Sequence, residues 1–325
     1  METLQFRAPG KLLLTAEYFV LDGATALAVP TLPGQRMTVT PVPGEPCLYW
    51  KSVDADGSPW FEAVFTLPEI AVRSTTDDQV AITLRQLLSA IRQWHPGFLT
   101  GEEGVEVTTI LEFPRNWGLG SSSTLIYMLS QWSGVDPYLL LAATMGGSGY
   151  DIACAAAGSP LLYTLKQGMT IVKPVPFKPV FSHQLYFVYL GKKQNSREGI
   201  ARYRSIQADR TAYAERFSVL TIAFLCATDL ATFDSLIREH EQWVASLLGL
   251  TRAKHLYFSD FSGEVKSLGA WGGDFVLVTS DRPEQEVRAY FAAKGMDVFL
   301  RYEELVMGGA PDRSGKPPSR LKYYR

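Results

Sequence analysis

A chain of 325 residues, 46% hydrophobic and 20% charged, has the apolar material for a sizeable core and is neither disordered nor fibrous in composition. Its 31 Lys and Arg nearly balance 33 Asp and Glu, which leaves no electrostatic footprint for nucleic acid or an anionic membrane as a main partner. The scattered Cys47, Cys154 and Cys226 build neither a disulfide framework nor a CxxC zinc site and point to a reducing cytoplasm.

METLQFRAPGK lacks the apolar core of a signal peptide, and no stretch reads as a membrane span. Asn116–Val135 is interrupted by Gly, Ser and Gln, and Phe217–Thr228 is too short. LQFRAPGKLLLTAEYFVL carries apolar runs around a Pro-Gly break and QRMTVTPV alternates, so strands and turns are expected over residues 1–50. In DDQVAITLRQLLSAIRQW, Val80, Leu84, Leu87, Leu88 and Ile91 recur at helical spacing. GVEVTTILEF alternates as a strand, and STLIYMLSQW reads as a helix after a polar, glycine-rich loop. A second glycine-rich turn, GGSGYDIACAAAG, enters a run of small residues, and SPLLYTL with GMTIVKPV reads as a hairpin.

The proline-rich KPVPFKPV (173–180) is the expected linker between two units, 1–172 and 181–325. Beyond it QLYFVYLG is a strand, EGIARYRSIQADRTAYAERFSVLTIAFLCAT is largely helical and TFDSLIREHEQWVASLLG is a helix. LGAWGGD leads into the strand DFVLVTS, EQEVRAYFAAKG is helical, and DVFLRYEE is expected as a strand. This mixed order predicts an α+β fold rather than a doubly wound parallel sheet. The basic tail PDRSGKPPSRLKYYR is either disordered or packed on a neighbouring subunit, so a homodimer stays open.

In RNWGLGSSSTL, Gly118 and Gly120 flank Leu119, and Ser121, Ser122 and Ser123 follow. Glycine lets backbone approach a ligand closely, and a helix start offers unpaired N–H groups at the positive end of its dipole. Together they suit an anion, phosphate above all, and a first-turn serine can bind a phosphate-bound Mg²⁺. One glycine and one serine alone would read as a plain N-cap; three serines directly after GLG form a denser pattern. The loop is not GxxxxGK[ST], GxGxxG or GxSxG, which disfavours the common nucleotide and hydrolase folds. Lys11 in APGKLLLTAEYFVLDG, Asp151 in GGSGYDIACAAAG and the turn KSLGAWGGDF are further candidates. Each also has a plainer reading: an exposed strand lysine, a helix N-cap and a tight left-handed turn.

APGKLLLTAEYFVLDG, PRNWGLGSSS with its leading Pro114, and LGAWGGDF resemble, in this order, the three motifs of the GHMP kinases, and SGYD is similar to that family's SGxD segment. The motifs span residues 8–275. The resemblance implies a two-domain α+β fold, with the phosphate loop in the N-terminal domain, a ferredoxin-like C-terminal domain and the site between them. It implies transfer of the γ-phosphoryl of ATP to a small-molecule hydroxyl or phosphate, with Mg²⁺. Carried over by motif, Asp151 is the catalytic acidic residue with Lys11 beside it. Gly118, Leu119, Gly120, Ser121, Ser122 and Ser123 hold the ATP phosphates, and Ser122 also holds the metal. Glu17, Tyr18, Ser148, Gly149, Gly272 and Gly273 fall on the acceptor side.

SGYDIACAAAGS is similar to the SGFDVAxAAxGS pattern of phosphomevalonate kinases, and GGD (272–274) to their third motif; Tyr18 stands where mevalonate kinases have histidine. The resemblance thus implies a small acidic acceptor of the phosphomevalonate type, with mevalonate as the alternative. Lys192, Lys193, Ser196 and Arg197 in GKKQNSREG would bind such an acid or form a solvated basic loop. Two departures, no carboxylate over 137–150 where mevalonate kinases carry a metal glutamate and Trp271 where glycine is usual, leave room for a GHMP-like sensor without turnover.

Overall fold

The computed structural model describes residues 2–192, 196–271 and 273–308. The first half contains β1 (Leu4–Leu13), β2 (Ala26–Val42), β3 (Cys47–Val53), β4 (Pro59–Thr66), β5 (Ala71–Thr75), α1 (Asp78–Trp94), β6 (Gly104–Leu111), α2 (Ser121–Ser133), α3 (Pro137–Thr144), α4 (Tyr150–Ala155), β7 (Leu161–Lys166) and β8 (Met169–Pro174). The second contains β9 (Leu185–Tyr189), α5 (Ser196–Arg204), α6 (Arg210–Cys226), α7 (Leu230–Leu248), α8 (Ala253–Tyr257), β10 (Val265–Ser267), β11 (Phe275–Thr279), α9 (Glu284–Ala293), β12 (Phe299–Arg301) and α10 (Tyr302–Leu305). The α+β expectation holds.

An eight-stranded sheet runs β5-β4-β3-β6-β2-β7-β8 with β1 also paired to β2, and a four-stranded sheet runs β10-β11-β9-β12. The expected break at Pro9-Gly10 is a bulge within one strand: β1 pairs with β2 from Leu4↔Val39 to Leu13↔Ala28, and the register shifts between Pro9 and Gly10. Proline has no N–H to give the ladder, so the pairing slips there and resumes. The bulge directly precedes Lys11. α1 forms as its periodicity predicts: Asp77 caps it by accepting from the N–H groups of Gln79 and Val80, and Leu84, Leu87, Leu88 and Ile91 are buried.

Local chemistry sharpens three of these readings. DVFLRYEE is a strand only to Arg301, because the Arg301 N–H donates to Glu304 Oε2 at 2.8 Å and the chain turns into α10. The long helical stretch after 196 breaks between α5 and α6, where Asp209 starts α6 by capping Ala212. Within the proline-rich segment Val175 and Phe177 are buried in the core. One hydrophobic cluster joins Phe19, Leu119 and Tyr163 to Phe217, Phe233 and Phe275, so the two sheets share a continuous core. No helix among the described residues is long and apolar enough to cross a membrane.

Candidate active site

Gly118 and Gly120 take left-handed backbone, φ 69° and 90°, between a 3₁₀ turn at Arg115–Trp117 and α2. Gly120 is the N-cap and no side chain caps the helix. The first helical N–H is that of Thr124, bonded to the Gly120 carbonyl at 3.0 Å. The amides of Ser121, Ser122 and Ser123 thus lack acceptors within the helix at its positive end. Ser122 is exposed, whereas the Ser123 hydroxyl is turned back to donate to the Gly120 carbonyl at 2.9 Å. The Leu119 side chain is buried in the core and its carbonyl accepts the Lys11 N–H at 2.9 Å, so only its backbone is available to a ligand.

The glycines are also required by what presses on them. A β-carbon on Gly120 would stand 3.1 Å from Lys11 Cγ, and one on Gly118 would stand 2.8 Å from both Asp274 carboxylate oxygens. Lys11 Nζ donates to the Gly118 carbonyl at 2.9 Å and lies 5.7 Å from the Tyr150 ring centroid. The plainer alternative of an exposed strand lysine is thereby excluded. Asp151 lies in the first turn of α4, whose N-cap is Gly149 (φ 84°), so it is not the cap.

Burial pushes the Asp151 carboxyl above its ordinary value, against the pull of the Lys11 ammonium and of nearby backbone N–H groups. Burial alone would lower the Lys11 amine, but Tyr150, Asp151 and Asp274 outweigh it and hold the amine above its usual range. Burial raises the Tyr150 phenol to about 12. The pair is thus a charged lysine beside a carboxylate made more basic.

These residues line a cavity of about 690 Å³. Lys11, Glu17 and Tyr18 form one wall, Gly118 to Ser123 another, and Ser148 and Asp151 a third. Gly149 is not on the lining; a β-carbon there would meet the Tyr138 ring at 3.0 Å, so its glycine serves packing. Gly273 is not on the lining either, and Gly272 lies outside the described residues. Tyr18 commits its hydroxyl to the Ala270 carbonyl at 2.8 Å. Glu17 is fully buried and ion-paired with Lys266. The Ser148 carbonyl accepts from the Tyr163 hydroxyl. Trp271 turns its ring into the core at φ 53°. Lys193 and the side chains of Ser196 and Arg197 lie outside the described residues, as does the basic tail from 309 onward.

Among the charged and phenolic lining residues, sequence reasoning gave no role to Arg115, Tyr150, Arg204 and Asp274. Arg115, Tyr150 and Asp274 stood inside the quoted motifs without a role of their own. Arg204, at the end of α5, had no motif to mark it.

Superposition on solved structures gives the class: the chain has the GHMP kinase fold. A Listeria innocua protein, Lin0012, matches over 92% of this chain and 97% of its own, with a TM-score of 0.69 at 16% identity. L. major mevalonate kinase in complex with R-mevalonate matches over 95% and 97%, with a TM-score of 0.67 at 16% identity. Streptococcus pneumoniae phosphomevalonate kinase, in complex with phosphomevalonate and AMPPNP, matches over 93% and 100%, with a TM-score of 0.67 at 14% identity. No protein-family model matches the sequence, and no curated protein does.

Proposed function

We propose that the chain is an ATP-dependent phosphotransferase acting on a small anionic acceptor of the mevalonate pathway, phosphomevalonate in the first instance. The observation that carries this reading is the convergence of Lys11, Asp151 and an uncapped glycine–serine helix start on one cavity. The amides of Ser121 to Ser123 would hold the nucleotide phosphates. Asp151 would orient the acceptor oxygen and take its proton, a task its raised basicity suits. Lys11 would keep that carboxylate ionised and neutralise phosphoryl charge.

The Ser122 hydroxyl and the Asp151 carboxylate are hard oxygen donors that fit Mg²⁺, which when bound draws together the terminal phosphates and offsets their charge. Among the described residues no three His, Cys, Asp or Glu side chains form a metal cluster. Arg204 on the cavity wall, beside Ile200 and Ala201, supplies positive charge for an acidic acceptor. Residues 1–172 and 181–325 are the two units of this reading, meeting at the site.

An ADP-release assay over phosphomevalonate, mevalonate, homoserine and galactose tests it. The highest kcat/KM is expected with phosphomevalonate. A clear preference for mevalonate would replace the acceptor and keep the kinase. Nucleotide binding without ADP release on any acceptor would favour a sensor.

A further inference from the structure

Tyr18 joins three segments that are distant in sequence. Its hydroxyl donates to the Ala270 carbonyl at 2.8 Å, in the third glycine-rich stretch. Its ring stacks on Tyr203 of α5, with centroids 5.6 Å apart and 20° between the planes. The same hydroxyl occupies the place of a side chain at Gly199, one turn earlier in α5. A β-carbon there would strike the phenol oxygen and stand 3.1 Å from Cε1 and Cζ of the ring. Gly199 and Tyr203, four residues apart, thus form the stripe by which α5 sits on the first motif. Tyr203 extends that seat, meeting Phe19 edge-on at 5.1 Å and donating its hydroxyl to the Asp22 carboxylate.

The adjoining stripe of α5, Ile200, Ala201 and Arg204, lines the cavity. Among the described residues no carboxylate pairs with the Arg204 guanidinium, so its charge is open to an anion. How near that charge comes to a bound acceptor depends on how closely α5 lies on Tyr18, and glycine permits the closest approach. On the phosphotransferase reading, we infer that the contact of Gly199 with the Tyr18 hydroxyl sets the depth of the acceptor half of the cavity. Gly199 is then a positioning residue for acceptor affinity, because it brings Arg204 within reach of the acceptor's anionic group. The open amides of Ser121 to Ser123 and the Asp151 carboxylate belong to α2 and α4, which take no part in this contact.

The test is a double-mutant cycle with the full chain. KM for phosphomevalonate is read from ADP release, and AMPPNP affinity by calorimetry. Alanine is a better helix former than glycine, so without this contact Gly199→Ala would gain stability and keep its KM. With it, Gly199→Ala should raise KM about tenfold or more, since a displacement of about 1 Å costs up to roughly 10²-fold, while AMPPNP affinity holds. Tyr18→Phe removes the hydroxyl and leaves ring contacts that a few tenths of an ångström relieve. In that background Gly199→Ala should change KM by less than about twofold. Unchanged KM in Gly199→Ala, the same rise in both backgrounds, or an equal loss of AMPPNP affinity overturns the inference. Arg204 is exposed, so Arg204→Gln tests the same wall without repacking. It too should raise KM with AMPPNP affinity held, and an unmoved KM overturns the inference. Failure of the parent to release ADP with any acceptor is a separate outcome, which removes the phosphotransferase reading and this inference with it.

Discussion

The protein contains two lysine–carboxylate pairs that involve the first motif, and they do opposite things. Lys11 and Asp151 are half-buried on a cavity wall, and the carboxyl is pushed up. Lys266 and Glu17 are sealed, at 0% and 1% side-chain exposure. Burial opposes the Glu17 charge, yet the Lys266 ammonium above all holds its carboxyl down at about 2. His240 Nε2 lies 3.0 Å from Glu17 but accepts the Ala16 N–H at 3.0 Å, so the ring is neutral; burial, with Lys266, keeps it down at about 4. Next to it Glu241 accepts from the Ser267 N–H and hydroxyl, and burial lifts it to about 8. The same charge pair thus stays open to a ligand, its carboxyl more basic, where it lines a cavity, and becomes a brace where packing closes over it.

The brace should break hardest. Lys266→Met leaves the Glu17 carboxylate buried without its cation and should cost about 3–5 kcal/mol of stability, read by chemical denaturation. A loss below 1 kcal/mol would mean that the pair contributes little. In the open pair, Asp151→Asn keeps the shape and should lower turnover by roughly 10²-fold or more, with ADP binding retained. Near-normal turnover in that folded variant would return Asp151 to a structural role.

Glu241 sharpens the comparison through pH. Its folded value is raised from 4.5 to about 8, so between those values the folded state keeps a proton that the unfolded chain releases. Its contribution is therefore fully present below about pH 4.5 and lost as pH rises toward 8. Glu241→Gln should remove that decline and gain about 1 kcal/mol or more at pH 9, measured as the difference between the two pH–stability curves. Parallel curves would rule out a buried proton at this site. Ser122→Ala should have the smallest effect on folding, within about 0.5 kcal/mol. It should nevertheless raise the Mg²⁺ concentration needed for ATP use; unchanged Mg²⁺ dependence would take the hydroxyl out of the site.

What could be read from sequence was local. The period of α1, the alternation in β2 and the glycines before α2 each carry their signal within a few residues. The α10 turn was missed because Val298, Leu300 and Tyr302 alternate as a strand would, while the deciding bond runs from the Arg301 N–H to Glu304. The brace was invisible because Lys266 and Glu17 are 249 positions apart. A lysine followed by Ser-Leu-Gly reads as solvated surface until the fold buries it. At the site, the glycines were legible as space, but the groups occupying that space, Lys11 Cγ and the Asp274 carboxylate, were not.

Four consecutive residues of the first motif each reach far ahead in the chain. Thr15 bonds Thr221, Ala16 bonds His240, Glu17 pairs with Lys266 and Tyr18 bonds Ala270, across 206, 224, 249 and 252 positions. The order of synthesis gives this a meaning. A chain emerging from the ribosome presents Lys11 and the glycine–serine loop early, but the floor beneath them has no partners until residue 270 is out. Contacts this distant form late, because the intervening loop must close first. The amino-terminal half, released alone, would hold the open amides at the start of α2 above an unfinished floor, without Lys266 for the Glu17 carboxylate. The cavity is therefore one of the last things this polypeptide completes.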